Sequence, residues 1–270
     1  MKRKKLAIIG AGNIGLAIAN GLVTSGLLKS KDVTLTRRKL ERIEEYKSKG
    51  FILTKDNKAA VDQAEIVLIA VEPQQVDSVL EELKDNLSAD KHSLISVVTG
   101  ITIRQIRSKV GDAIEVVRAM PNTAIAIGES MTCLASGSGK TTALEEAQSI
   151  FSTVGKTMVI DENQMSAATA LAACGIAFFL RTIRAASQGG IEIGFHADKA
   201  LEIAAQTAKG AASLLLVNHN HPEFEIDKVT TPRGVTISGL NQMEHEGLSS
   251  AMIKGIVTSA EKAAKLYSAE

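Results

Sequence analysis

Short apolar runs alternate with amphipathic stretches through the first 160 or so residues, and that alternation predicts an α/β architecture. Leu6–Ile9 is a four-residue apolar run, followed at once by a glycine-rich turn and a helical pattern to about Gly26. Val33–Thr36 reads as a second strand, and the charged residues 39–49 read as a surface helix. Residues 66–71 (IVLIAV) show no polar alternation, as expected of a parallel strand covered on both faces. Val76–Leu83 then has helical spacing. Further strands are expected at 93–98, Glu115–Met120 and 131–135, with a helix at Ile103–Val110 between the first two. A helix at 142–153 and a strand at 157–160 complete the series. Strands and helices alternating at this spacing make a doubly wound, Rossmann-type sheet.

After Asp161 the pattern changes. Alanine becomes dense, strand signals stop, and helical periodicity covers residues 164–188, 198–218, 236–245 and 248–267. The sequence therefore divides near residue 162, with an α/β domain over 1–162 and an all-α domain over 163–270. Between Ser166 and Ala212 there are 15 alanines. Small side chains let helices approach closely at little cost in side-chain entropy, so the helical half is expected to form at least a dimer.

Composition narrows the classes of function. The 270 residues carry 31 Lys+Arg and 30 Asp+Glu, a formal net charge of +1. That balance disfavours a nucleic-acid binder working through overall positive charge. With 45% hydrophobic and 23% charged residues, the chain has enough apolar surface to fold. Aromatics are 3%, so the interior must be filled by Ala, Ile, Leu and Val. Cys133 and Cys174 make no disulfide framework, and no Cys/His spacing suits zinc, so no metal is expected. His219-Asn-His221 beside Pro222 reads as a solvated loop. Lys2-Arg3-Lys4-Lys5 before an apolar run imitates a secretory signal, but Gly10, Gly12, Asn13, Gly15 and Asn20 interrupt that run. The longest stretch of apolar and small residues, 167–180, falls short of the roughly 20 needed to span a bilayer. A soluble, cytoplasmic protein without membrane or nucleic-acid partners is the expectation.

The first chemical motif is Gly10-Ala-Gly12-Asn-Ile-Gly15. It follows a strand and opens a helix, the context in which such a turn binds a dinucleotide pyrophosphate. Gly10 permits the tight turn, Gly12 lets a pyrophosphate approach the backbone, and Gly15 lets helix and strand pack closely. Asn13 and Ile14 belong to the same helix start, whose free N–H groups favour an anion. An NAD-preferring site usually ends its second strand in an acid. Here the sequence is Leu35-Thr36-Arg37-Arg38, a hydroxyl and two guanidinium groups suited to a 2′-phosphate. NADPH is therefore the expected cofactor, with NADH possible.

A second glycine-rich segment, Ser136-Gly-Ser-Gly-Lys140-Thr-Thr142, imitates the end of a triphosphate-binding loop. The full pattern needs a glycine where Leu134 stands, so a polar surface connection is the favoured reading. More informative is Val229-Thr-Thr231-Pro-Arg-Gly234-Val235-Thr236-Ile-Ser-Gly239-Leu. Taken alone it reads as a threonine-capped helix start near Thr236. It would equally make an anion site from the backbone N–H groups of Gly234 to Thr236 and the Thr231 hydroxyl.

With these motifs on the page, the chain resembles the pyrroline-5-carboxylate reductase family over essentially its whole length. The resemblance rests on the dinucleotide turn, Asn57, Ala70-Val71-x-Pro73-Gln74, Arg118-x-Met-Pro-Asn122-Thr, Thr169-Ala-Leu171 and Thr231-Pro-x-Gly-x-Thr236. It implies NAD(P)H-dependent reduction of 1-pyrroline-5-carboxylate to proline, a Rossmann domain and an interlocked helical dimer. By position, Asn57 would meet the adenosine ribose, Ala70, Pro73 and Asn122 the nicotinamide side, and Val71 the cofactor as well. Thr231, Gly234, Val235 and Thr236 would hold the substrate carboxylate, with the Thr236 hydroxyl on the ring nitrogen. Three departures stand out. Glu72-Pro73 replaces the family's usual Lys-Pro, Arg233-Gly234 replaces Gly-Gly, and Ala172-Ala-Cys174-Gly175-Ile-Ala-Phe178 replaces Ser-Gly-Ser-Gly-Pro-Ala-Tyr.

Alcohol or ketone chemistry normally needs a His or Lys acid–base group. Hydroxyacid dehydrogenases of similar plan place a lysine four residues after a glycine on the first long helix, where this chain has Phe179 after Gly175. A cyclic imine can take its proton from solvent and then accept hydride directly. The expected activity is thus reduction of 1-pyrroline-5-carboxylate to L-proline. The alternatives are a reductase of another cyclic imino acid and an NADP-binding regulatory protein without catalysis.

Overall fold

The strand order β3-β2-β1-β4-β5-β6-β7-β8 organises the computed structural model, which describes residues 4–137 and 139–268. Lys2 and Arg3 of the basic N-terminus, and Ser138 of the second glycine-rich segment, lie outside the described residues. The strands are β1 Leu6–Ile9, β2 Val33–Thr36, β3 Ile52–Thr54, β4 Ile66–Ile69, β5 Ser93–Ser96, β6 Glu115–Met120, β7 Ser130–Ser136 and β8 Gly155–Val159. The first six are mutually parallel, β7 runs antiparallel to β6, and β8 is parallel to β7. The helices between them are α1 Asn13–Thr24, α2 Glu45–Ser48, α3 Asn57–Asp62, α4 Val76–Leu83, α5 Ile103–Val110 and α6 Thr142–Phe151. This is the doubly wound α/β sheet that the alternation predicted.

Burial on both faces explains the unbroken apolar strands. Leu6 and Ile8 of β1 and Leu68 of β4 join one core with Ile18 and Leu22 of α1 and Phe151 of α6. Ala7, Ile9, Val67 and Ile69 face the opposite way, into a second core with Leu80 and Leu83 of α4 and Ile106 of α5. Each fully buried Leu, Ile or Val contributes about 1.5–3 kcal/mol, so a polar residue at either parity would be costly.

Two local expectations change. Residues 39–49 form not one helix but a 3₁₀ turn at Leu40–Arg42 and the single turn of α2. Strand β3 carries no pattern of its own, because it is a three-residue edge strand whose side chains are exposed or half-buried. The position of Gly50 at φ +86° turns the chain into it.

The helical region continues with α7 Met165–Ala168, a π-helical turn at Thr169–Cys174, α8 Gly175–Glu192, α9 Ala197–Asn218, α10 Pro222–Asp227, α11 Val235–His245 and α12 Leu248–Ser268. By packing, the chain up to Cys174 forms one unit together with the stretch from Ser259 on, and Gly175–Thr258 forms a second. The change of composition near residue 162 follows the last strand, whereas this division falls later, within the long helix. In the first unit, Glu162 is tied to the sheet. Its Oε1 accepts from the buried Arg118 Nη1 at 3.0 Å and from the Ile103 N–H at 2.7 Å.

In the second unit α8 and α9 pack on each other. A side chain at Gly190 would come within 3.1 Å of the Ala200 Cβ, so this contact needs small residues. Many large apolar side chains here stay exposed, among them Phe179, Leu180, Ile193 and Val217. The continuous helix Glu162–Glu192 and α9 are long and apolar enough, by length and composition, to cross a membrane. The stretch 167–180 is therefore part of a longer helix, and its own length does not argue against a span. His219 ends α9 in the left-handed region, and His221 Nδ1 accepts from the Glu223 N–H at 3.3 Å, capping α10. The histidine pair thus lies in the exposed connection between α9 and α10, as the solvated-loop reading expected, and each histidine caps the helix next to it.

His92, just before β5, is held in one tautomer. The Ser88 N–H donates to Nδ1 at 2.9 Å, which leaves Nε2–H to donate to the Val61 carbonyl at 3.2 Å. Burial holds its pKa below the ordinary histidine value. A lowered folded-state pKa means that its stabilising contribution is complete above the unfolded pKa of about 6.5 and is lost as pH falls from there through the lower folded-state value. Urea unfolding of the wild type and His92→Gln from pH 8 to pH 5 should show the wild type losing stability faster on acidification. Parallel curves would show that His92 does not titrate in this way.

Candidate active site

The strand order reverses between β1 and β4, and in open α/β sheets the crevice at such a point takes the ligand. A cavity of about 810 Å³ lies there, beyond the carboxyl ends of β1, β2 and β4. Gly10 leaves β1 at φ +94°, and a Cβ on it would lie 2.8 Å from the Ala70 carbonyl oxygen and from Val71 Cγ1. A Cβ on Gly15 would meet the Gly10 oxygen and Ile8 Cγ2, each at 3.0 Å. A Cβ on Gly12 would meet nothing within 4 Å, so that glycine opens space while the other two permit close packing. The first helical bond of α1 runs from Leu16 N to the Gly12 oxygen at 2.9 Å. Helix geometry leaves the N–H groups of Asn13, Ile14 and Gly15 without intrahelical partners.

The end of β2 fastens this turn. Thr36, 2% exposed, accepts the Gly10 N–H on its hydroxyl at 3.3 Å and the Ala11 N–H on its carbonyl at 2.8 Å. Arg37 Nη1 donates to the Ala11 carbonyl at 2.7 Å. Arg38 is exposed at the rim of the same cavity, joined by Lys39, Arg42 and Lys55. Asn57 begins α3, whose N-cap Asp56 accepts from the Ala59 N–H at 3.0 Å, and Asn57 Nδ2 donates to Glu82 Oε2 at 3.1 Å.

The structure gathers Gly10, Gly12, Thr36, Arg37, Arg38, Asn57, Ala70 and Val71 around one cavity. Arg42 went unnoticed in the sequence because residues 39–49 read as a surface helix, and Lys55 because β3, which it follows, has no legible pattern. Pro73 opens a 3₁₀ turn ahead of α4, and neither it nor Asn122 lines the cavity. Asn122 follows β6 and is buried. Its Oδ1 accepts from the Ala124 N–H at 3.1 Å, and its Nδ2 donates to the Ala172 carbonyl at 3.2 Å, within the π turn. Among the described residues no cluster of His, Cys, Asp and Glu gathers that would hold a metal ion.

The Thr231–Thr236 turn belongs to the second unit and joins α10 to α11. The Gly234 N–H donates to the Thr231 oxygen at 2.8 Å, and a Cβ on Gly234 would lie 2.6 Å from Thr231 Oγ1, so the close turn needs glycine there. Helix α11 starts at Val235 with Gly234 as its N-cap and no side-chain cap. The threonine-cap reading is thus corrected: the first N–H groups of α11 are open to an external acceptor. Val235 is 90% exposed.

The helical region, residues 162–266, matches the family model for pyrroline-5-carboxylate reductase dimerisation. Residues 5–100 match the model described as NADP oxidoreductase, coenzyme F420-dependent. Pyrroline-5-carboxylate reductase 2 of Dictyostelium discoideum is 51% identical over 282 residues, covering 98% of this chain and 94% of that one. The chain belongs to the pyrroline-5-carboxylate reductase family. Pyrroline-5-carboxylate reductase 1 of the same organism is 54% identical across 97% of this chain, which spans half the length of that relative. A solved pyrroline-5-carboxylate reductase from Coxiella burnetii superposes with a TM-score of 0.91 at 29% identity, covering 98% of this chain and 99% of that one.

Membership of the pyrroline-5-carboxylate reductase family gives the departures a structural meaning. Arg233 stands where the family usually has glycine, and its φ is +60°, in the left-handed region. A non-glycine residue held there costs on the order of 1 kcal/mol. Glu72, in place of the usual lysine, lines the cavity.

The glycine geometry predicts a contrast. Gly10→Ala combines positive φ with a 2.8 Å backbone clash and should destabilise the fold by about 2 kcal/mol or more. Gly12→Ala, with open space around it, should cost less than about 1 kcal/mol. Chemical denaturation of the two variants checks this, and equal losses would contradict the geometry.

Proposed function

We propose that the chain reduces 1-pyrroline-5-carboxylate to L-proline with NADPH, the last step of proline biosynthesis. The observation that carries this is a whole-chain match to pyrroline-5-carboxylate reductases combined with a cationic dinucleotide cavity at the sheet's switch point. The residues present fit such a cofactor. The space over Gly12 admits a pyrophosphate, the start of α1 presents free N–H groups to it, and the cations after β2 and β3 suit a 2′-phosphate. Asn57, Ala70 and Val71 line the same cavity, which supports reading Asn57 as the adenosine-ribose contact. When bound, the cofactor supplies hydride to the imine carbon.

The protein's own part is binding and orientation. The open N–H groups at the start of α11, with Thr231, receive the substrate carboxylate. The Thr236 hydroxyl accepts from the N–H of the protonated ring nitrogen, and Arg233 adds a positive charge beside the carboxylate. The imine nitrogen takes its proton from solvent, so no buried acid is needed. In this reading residues 1–162 bind NADP, and residues 163–270 bind substrate and build the oligomer.

The exposed apolar side chains of α8 and α9 are covered by a second copy of the chain. Support comes from the match to a dimerisation model, and from the Asp198, Lys199, Glu202 and Lys209 side chains along α9, which a bilayer core would exclude. We read the protein as a homodimer or larger homo-oligomer that acts on a small molecule in the cytoplasm, with neither nucleic acid nor membrane as partner.

Following NADPH oxidation by absorbance should reveal turnover with 1-pyrroline-5-carboxylate. A clear preference for its six-membered homologue would transfer the assignment to that imino acid. Tight NADPH binding without turnover of either would leave a regulatory binding protein. Thr236→Ala should lower turnover by about tenfold or more while NADPH affinity stays within about twofold. Collapse of cofactor binding in that variant would remove the turn from the substrate role.

A further inference from the structure

Both peptide groups of Ala11 are held by the end of β2. Its N–H donates to the Thr36 carbonyl at 2.8 Å, and its carbonyl accepts from Arg37 Nη1 at 2.7 Å. The next N–H, of Gly12, donates back to the Gly10 oxygen at 2.8 Å. The Ala11–Gly12 peptide is therefore fixed at both of its polar ends, and it sets the direction in which the first N–H groups of α1 emerge. Arg37 is half-buried and its backbone N–H donates to the Thr54 carbonyl at 3.3 Å, so the residue is anchored at both ends. Thr36, with its hydroxyl on the Gly10 N–H and 2% exposure, is likewise turned toward the glycine turn. Arg38, Lys39, Arg42 and Lys55 differ. They line the same cavity as Thr36 and Arg37, but all four are exposed.

We propose that Arg37 is a positioning residue for the phosphate-binding turn, and that selectivity for a 2′-phosphorylated dinucleotide is carried by Arg38, Arg42 and Lys55. The inference rests on the NADPH reading above and reassigns the part played by Arg37 within it. A guanidinium engaged with a carbonyl keeps its plane fixed, whereas a dianionic phosphate at the rim is met best by cations free to converge on it. Removing the Arg37 contact loosens a turn that every dinucleotide uses. Removing the rim cations takes away charge that only the 2′-phosphate needs.

Calorimetric titration of the full chain with NADP⁺, NAD⁺ and 2′,5′-ADP separates the two roles. Arg37→Met should weaken NADP⁺ and NAD⁺ by similar factors, about tenfold each, as for a lost hydrogen bond from a charged donor. Arg37→Lys, which keeps a cationic donor, should recover part of both. The triple variant R38A/R42A/K55A should weaken NADP⁺ and 2′,5′-ADP by about tenfold or more while NAD⁺ stays within about threefold. Thermal melting confirms that each variant is folded before titration. A loss confined to NADP⁺ in Arg37→Met, a rescue by Arg37→Lys confined to NADP⁺, or equal losses of both dinucleotides in the triple variant would each overturn the inference alone. A wild type that binds neither dinucleotide would overturn the NADPH reading with it.

Discussion

The site depends on how closely the backbone leaving β1 approaches the backbone leaving β4. With 2.8 Å between a notional Gly10 Cβ and the Ala70 oxygen, the two strand ends can lie side by side only because position 10 has no side chain. That proximity sets where α1 begins, hence where its unpaired N–H groups point and where the cavity opens. The second constraint, a 3.0 Å fit between Gly15 and the Gly10 and Ile8 atoms, then fixes the pitch of α1 against the sheet. Everything further out, including the cationic rim, is referenced to this pair of contacts.

Rigidity at the turn is supplied from β2, not from the turn's own sequence. Ala11 has no side chain capable of holding a peptide plane, and glycines on either side of it increase the freedom to be restrained. Thr36 and Arg37 supply that restraint, and parallel pairing of β1 with β2, Ile9 opposite Thr36, brings them there. The core on both faces of β1 is thus linked to ligand geometry through register. A slip of one residue in β2 would turn Thr36 and Arg37 away from the turn as well as moving Val33 and Leu35 out of their core.

Much of this was legible in the sequence, for reasons that differ from element to element. Strands β1, β2 and β6 and helices α4 and α5 were readable to the residue, because burial on both faces or strong amphipathic spacing leaves a pattern. Strand β3 left none, since a three-residue edge strand buries too little to constrain its composition, and Lys55 was missed along with it. Residues 39–49 are charged enough to suit a surface helix, yet that composition suits an irregular surface equally. The π turn at Thr169–Cys174 was invisible, because one extra residue within a helical turn changes hydrogen bonding without changing apolar periodicity. The Asn122 bond to the Ala172 carbonyl joins segments 50 residues apart in sequence, and no local motif encodes such a contact.

The near-neutral charge of the whole chain conceals how unevenly charge is distributed. Arg37, Arg38, Lys39, Arg42 and Lys55 line one cavity against Glu72 and Glu82, and Glu82 is engaged with Asn57. A cleft lined mainly by one sign focuses potential on its ligand whatever the molecule's total charge. The same logic applies to hydrophobicity. An ordinary average of 45% apolar residues divides into central strands closed on both faces and helices whose Phe179, Leu180, Ile191 and Val217 stay exposed. Averages over the chain exclude classes of function, but ligands and partners respond to local density. For that reason the cationic rim and the apolar faces of α8 and α9, not the composition, carry the functional argument.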